Sequence, residues 1–249
     1  VLLADVHAYL NQKGSLEEVR ELAKQNKRCF LALGLDPEKT RFVFGSDFQL
    51  DHNYMLNVLK LTQETSLNRA KRSMDEVGRK MEDPKVSQMV YPIMQAVDIA
   101  MLEVDVAVSG IDQRKIHMLA REELPDIGYS SPTCMHTPIM LGLDGVKMSS
   151  SKENYISVDD TEDDIKRKMK KAYCPSETIE DNPILEIFKY HVFPRYYEIV
   201  LKRPEKFGGN LNISGYQELE EQFALGNIHP MDLKNAATEY MNDLLKPVR

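Results

Sequence analysis

Apolar positions in the first two thirds of the chain alternate between short continuous runs and helix-spaced stripes. Val1–Val6 reads as a strand. Ser15–Leu31 reads as a helix, with Ser15 as N-cap, Glu18 completing a capping box, and Gly34 closing the far end. Arg41–Phe44 is a short strand ending at Gly45. Asp51–Leu61 and Thr65–Met81 read as helices, the second carrying Arg69, Lys71, Arg72, Arg79 and Lys80. Pro92 sits where a first-turn proline starts a helix running to about Leu102. Val104–Val108 is expected to be a buried apolar strand, followed by a helix over Asp112–Glu123 with Asp112 as N-cap. Strands alternating with helices predict βαβ units and a parallel sheet, an α/β fold.

The rhythm breaks over residues 132–160. The stretch from Pro138 to Lys152 is rich in Gly and Ser and is expected to be a mobile surface loop. Beyond Asp160 the pattern is mainly helical: Thr161–Tyr173, Pro183–Phe193, Tyr216–Phe223 and Pro230–Leu245. The division expected is a catalytic α/β domain over residues 1–155 and a linker with a small α-helical domain over 156–249.

The chain has 249 residues, with 42% hydrophobic and 29% charged positions. That is ordinary globular composition and excludes collagen-like and disordered classes. No apolar run approaches the roughly 18 residues of a membrane span. Cys29, Cys134 and Cys174 are widely spaced and form no CxxC pair, so no zinc site or disulfide framework is predicted. A reducing cytoplasmic compartment fits that usage. The net charge of −7 argues against an indiscriminate nucleic-acid binder but allows local basic patches.

Three strings carry candidate chemistry. Lys147-Met148-Ser149-Ser150-Ser151 puts an ammonium on a loop beside hydroxyl and amide donors, an arrangement suited to a triphosphate. A solvated Ser-rich turn is the plainer alternative. In Tyr91-Pro92-Ile93-Met94-Gln95-Ala96-Val97-Asp98, helical spacing places Tyr91, Gln95, Asp98 and Leu102 on one face. That face is either a solvent-turned helix start or a pocket wall gripping a small polar molecule. A buried carboxylate there must find a donor, and a phenolic hydroxyl is suitable. Gly110-Ile111-Asp112-Gln113-Arg114-Lys115-Ile116-His117 follows a strand and opens a helix, where ligands sit in parallel α/β folds. An exposed helix start with two surface cations is the competing reading.

These strings, in this order and spacing, resemble tyrosyl-tRNA synthetases of the archaeal and eukaryotic type. The first is similar to the KMSKS signature of class I aminoacyl-tRNA synthetases. Leu3-Ala4-Asp5-Val6-His7-Ala8-Tyr9-Leu10, Gly45-Ser46-Asp47-Phe48-Gln49-Leu50, Ala172-Tyr173-Cys174-Pro175, Arg203–Gly209 and His229-Pro230-Met231-Asp232-Leu233-Lys234 extend the likeness along the chain.

The resemblance implies a Rossmann-like sheet, activation of tyrosine with ATP, and transfer of the tyrosyl group to the 3′ end of tRNA(Tyr) without a covalent enzyme intermediate. It implies that Tyr91, Gln95 and Gln113 hold the α-amino group, that Asp98 meets the phenol, and that Ala4, His7, Phe48 and Leu102 line the ring pocket. Lys147, Met148, Ser149, Ser150 and Ser151 would hold ATP, with Lys147, Ser149 and Ser150 serving catalysis and Mg2+ accompanying the nucleotide. Arg72, Arg114 and Lys115 would meet the acceptor stem, and Phe207, His229 and Asp232 the anticodon. The run Lys166–Lys171 reads as a solvated helix face, with phosphate contact as the alternative. The family is homodimeric, and the helices of residues 51–90 are the expected interface. The second class I signature, HIGH, has no counterpart among the six histidines. An N-terminal segment is therefore expected to precede Val1, and little tyrosine activation is expected without it. A tryptophanyl-tRNA synthetase and a catalytically silent tRNA-binding fragment are the rival readings.

Overall fold

The computed structural model describes residues 1–75, 85–149 and 152–249, which form two compact units, Val1–Ile139 and Met140–Arg249. In the first unit, β1 (Leu2–Leu3) leads directly into α1 (Asp5–Leu10), then α2 (Leu16–Ala32) and β2 (Val43–Phe44). The strand expected to Val6 ends at Leu3 because Asp5 starts a helix whose first turn buries Asp5, Val6 and His7. α2 begins as the sequence predicts: the Ser15 side chain accepts from the Glu18 amide, and Glu18 accepts from the Ser15 amide.

α3 (His52–Glu64) and α4 (Leu67–Ser73) follow. The helix expected over Thr65–Met81 starts later, behind the N-cap Ser66. Arg79, Lys80 and Met81 lie outside the described residues. α5 (Val86–Met101) contradicts the reading of Pro92 as a helix start, for Pro92 is buried inside it. A proline forfeits one helical hydrogen bond, but the apolar face through Ile93, Met94, Val97 and Ile99 packs into the core and carries the helix past it.

β3 (Val106–Gly110), α6 (Arg114–Glu123) and β4 (Thr133–Thr137) complete the unit. Among the described residues its strands form two separate parallel pairs, β1 with β2 and β3 with β4, where the sequence predicts one parallel sheet. Val104, Val106 and Val108 are exposed, not buried as expected, because they wall a cleft facing β1. Asp112 is not an N-cap. It lies in a 3₁₀ turn, Ile111–Gln113, and its carboxylate accepts from its neighbour's amide, Gln113 Nε2, at 2.9 Å.

The second unit begins at Met140, earlier than the 155/156 division expected. The loop packs with the elements that follow it: Tyr173 donates its backbone N–H to Leu143 at 2.6 Å, and Leu141 donates to Glu186 at 2.8 Å. The segment expected as a mobile loop contains a tied turn, with Leu141 bridged to Lys147. α7 (Glu162–Lys171) packs on α10 (Pro230–Leu245), burying Ile165, Met169, Leu233 and Ala237. Between them come α8 (Pro183–Ile187), extended by a widened turn through Val192, and α9 (Tyr216–Ala224). The sequence reading missed one element here, an antiparallel pair of β5 (Ile199–Leu201) and β6 (Leu211–Ile213). No helix among the described residues is long and apolar enough to cross a membrane.

Candidate active site

A cleft of about 600 Å3 runs between the two strand pairs of the first unit. Its walls are apolar, with Leu2 and Val43 on one side and Val106 and Val108 on the other. Gln95, Asp98 and Leu102 of α5 line it as well. Asp98 is only 3% exposed. Its Oδ1 accepts from Gln49 Nε2 at 2.6 Å and stands 2.8 Å from the Tyr54 hydroxyl, which also lies 2.8 Å from the Met94 carbonyl. Gln49 Nε2 is also 3.3 Å from His7 Nδ1, and His7 Nε2 is 3.6 Å from Asp98 Oδ2. The spacing suits Gln49 donating one hydrogen to each partner.

Burial governs the protonation of this group. It pushes Asp98 above the usual carboxylate range and His7 below the usual imidazole range, each offset in part by the other's charge. Tyr54 is pushed far up by burial and by Asp98. Tyr91 is pushed up to about 12, again mainly by burial, with Asp98 and Asp112 adding to it. Asp98 Oδ2, Gln49 Oε1 and His7 Nε2 have no hydrogen-bond partner among the described residues. Such buried orphans are costly unless a ligand meets them.

A second buried carboxylate shapes the floor. Asp5 accepts from the Ser46 amide at 2.8 Å and from the Ser46 hydroxyl, while Arg20 of α2 bonds Ser46 and reaches Asp47 at 2.7 Å. This clamp fixes the turn that delivers Gln49. Gly45 is required there, since a Cβ would collide with the Gln49 carboxamide and the Asp5 carboxylate.

The first unit therefore brings together His7, Tyr91 and Asp98, with the His7 and Tyr91 rings edge to face at 4.6 Å. Phe48 packs edge to face on Tyr54 at 5.3 Å. Ala4 is exposed at the carboxyl end of β1, and Gln113 is half-buried on its 3₁₀ turn. Lys115 pairs with Asp75 just past α4, which also carries the exposed Arg72; Arg114 is exposed beside Lys115. Gln49 and Tyr54 were missed as site residues. Gln49 lies in a quoted string, and Tyr54 begins the apolar stripe Tyr54, Val58, Leu61, so a polar atom buried on that stripe was the available signal.

In the second unit, Lys147 and Met148 are exposed and Ser149 is half-buried, its amide donating to Asn154 at 2.8 Å. Ser150 and Ser151 lie outside the described residues. Phe207 is exposed on a 3₁₀ turn. His229 caps α10 by accepting from the Met231 amide at 3.1 Å, with Asp232 in the first turn. The cations of α7 divide between two faces. Arg167 pairs with Asp164 and Lys168 with Asp160, whereas Lys166 and Lys170 share a groove with Lys202 and Lys234. No cluster of three potential metal ligands occurs among the described residues.

A parallel α/β unit with a polar-floored cleft between its strand pairs, followed by a largely helical unit that opens on a Lys-Met-Ser turn, is the arrangement of a class I aminoacyl-tRNA synthetase. The profile of the class I tRNA synthetases for tryptophan and tyrosine (W and Y) matches residues 1–246, and the chain belongs to that family. It is 74% identical over its full length to a tyrosine–tRNA ligase of Methanococcoides burtonii, spanning 78% of that protein, and 68% identical to one of Methanosarcina barkeri with the same coverage. Among solved structures, the tyrosyl-tRNA synthetase of Archaeoglobus fulgidus complexed with L-tyrosine superposes over the whole chain with a TM-score of 0.97. It is 60% identical, and the match covers 78% of that structure.

Proposed function

We propose that the protein to which these residues belong activates tyrosine with ATP and transfers it to tRNA(Tyr). The observation that carries this reading is Asp98: a carboxylate sequestered at the cleft with one oxygen hydrogen-bonded and the other, 3.6 Å from His7 Nε2, without a hydrogen bond among the described residues. A phenolic hydroxyl is a suitable donor to that oxygen. Tyr91, Gln95 and Gln113 hold the α-amino group. His7, Phe48, Leu102 and Ala4 bound the ring.

The substrate carboxylate then attacks the α-phosphorus of ATP and pyrophosphate departs. Lys147 and the donors of residues 148–151 follow the charge that grows on the leaving group. In the second step the 3′ hydroxyl of the tRNA attacks the carbonyl carbon of the mixed anhydride, and AMP departs as the C–O bond to its phosphate breaks. No protein nucleophile is needed, and catalysis is orientation and charge stabilisation. Mg2+ arrives with the nucleotide, bound mainly through its phosphates. Pyrophosphate exchange in the presence of tyrosine, tryptophan or phenylalanine tests the reading. Exchange driven by tryptophan in preference to tyrosine would replace it.

On tRNA, Arg72, Arg114 and Lys115 contact the acceptor stem. Phe207 and His229 stack on anticodon bases and Asp232 accepts from one of them. The groove of Lys166, Lys170 and Lys234, with Lys202 paired to Glu239 at 2.7 Å, suits the phosphate backbone. Asp232→Ala is expected to lower tRNA charging roughly tenfold or more, on the scale of one lost base contact, with tyrosine-dependent pyrophosphate exchange unchanged. An equal fall in both rates would refute this division of labour.

The homodimer face is assigned to α3 and α4. Met55, Leu56 and Leu59 are exposed along α3, Leu59 at 56%, and Leu67 at the start of α4 is 70% exposed. Exposed apolar side chains along α3 suit an association surface. Leu59→Asp is expected to shift the protein to monomer in sedimentation velocity at micromolar concentration, and an unchanged dimer would move the interface elsewhere.

A further inference from the structure

Asn154 lies three residues past the Ser-rich string and is only 7% exposed, although Lys152 and Glu153 before it are exposed. Its carboxamide is fully engaged. Nδ2 donates to Asp144 Oδ1 at 2.7 Å and to the Lys147 carbonyl at 3.3 Å. Oδ1 accepts from the Ser149 amide at 2.8 Å. The Asn154 carbonyl accepts from the Leu143 amide at 2.7 Å.

The pairing has a definite geometry. In extended chain, the carbonyl of one residue and the amide of the next but one lie on the same edge. A carboxamide has the donor and acceptor of a peptide group, so Asn154 meets that edge of residues 147–149 as a neighbouring strand would. The turn is shaped around it. A Cβ on Gly142 would fall into the Asn154 amide, so glycine is required there. Asp144 in turn is held below the usual carboxylate range, first by the Asn154 amide. Both backbone groups flanking Met148 are thus pinned from one side, while the Lys147 side chain stands in solvent.

We propose that Asn154 is the positioning residue that presents Lys147 and Ser149 to the ATP phosphates; this rests on reading that turn as the ATP-gripping segment. It touches no reacting atom. Alanine there unpins both backbone groups. Aspartate can still accept from Ser149 but cannot donate to the Lys147 carbonyl, and it opposes Asp144. Exchanging the pair, Asp144→Asn with Asn154→Asp, restores one donor–acceptor contact.

The test is tyrosine-dependent pyrophosphate exchange on the full protein, with kcat and KM resolved for ATP and tyrosine separately. Asn154→Ala is expected to lower kcat/KM for ATP by about 10- to 100-fold, the scale of a small misplacement of a reacting group, with KM for tyrosine and Tm near wild type. Asn154→Asp is expected to be worse, and the exchanged pair to recover several-fold over Asn154→Asp. Trypsin is expected to cut after Lys147 faster in Asn154→Ala than in wild type. Wild-type-like ATP kinetics in Asn154→Ala would overturn the inference alone. So would a parallel loss of ATP and tyrosine parameters with a lowered Tm, which marks a fold role only. Absence of exchange in the wild-type protein would overturn the reading of the turn and this inference with it.

Discussion

Asp98→Asn is expected to lower kcat/KM for tyrosine by roughly 100-fold, the worth of a charge-assisted hydrogen bond to a buried carboxylate, and to stabilise the unliganded protein. The two effects have one cause. Asp98 is buried with one oxygen lacking a hydrogen bond, and burial raises its affinity for a proton. The folded state therefore holds a proton that the unfolded chain has released once pH passes the ordinary carboxylate range. Stability from this group is complete below that range and is lost as pH rises through the folded value. An amide carries no charge to bury, so the gain in Tm for Asp98→Asn is expected to grow with pH and vanish near pH 4. His7, lowered by burial, acts in the opposite sense: its contribution is present above the ordinary imidazole value and is lost as pH falls below it. Phenylalanine makes no hydrogen bond to residue 98, so its activation is expected to fall less and discrimination to narrow. Thermal melts of both proteins from pH 4 to 9, with exchange kinetics for both amino acids, check this. A variant less stable than wild type at pH 8 would contradict the account.

Lys147→Ala is expected to lower kcat for pyrophosphate exchange by roughly 100- to 1,000-fold, the range for removing one donor aimed at developing charge. Tyrosine binding measured by calorimetry without ATP is expected to be unchanged. Lys147 is exposed on a turn whose backbone is held on both sides of Met148. Its ammonium gains most when charge moves onto the departing pyrophosphate, so the loss belongs to the transition state. Lys147→Arg keeps the charge on a different fork and is expected to fall between the two. Equal losses in tyrosine affinity and in kcat would show that the residue acts on the other substrate.

Helix boundaries were most legible where capping chemistry marks them. Ser15 with Glu18 opens α2, and His229 with Pro230 opens α10, whose limits match the expectation at both ends. Local signals failed where long-range packing prevailed. Pro92 looks like a helix start in isolation, yet its helix begins at Val86 because a buried face extends through it. The β5–β6 pair was invisible because each strand is only three residues long. At the site, Asp98 could be singled out from its string and spacing. Its donors could not, since Gln49 and Tyr54 lie 49 and 44 positions upstream and meet it only in the folded chain. The clamp of Arg20 and Asp5 on the Gln49 turn lies one contact further from the string and was harder still to read.

Because Gln49 donates to the Asp98 carboxylate from 49 positions away, retuning the cleft toward a different amino acid is a coordinated edit. An apolar residue at position 98 alone would leave a Gln49 amide hydrogen buried without its acceptor, whereas the Tyr54 hydroxyl would keep the Met94 carbonyl, so a workable route to new side-chain preference changes positions 98 and 49 together.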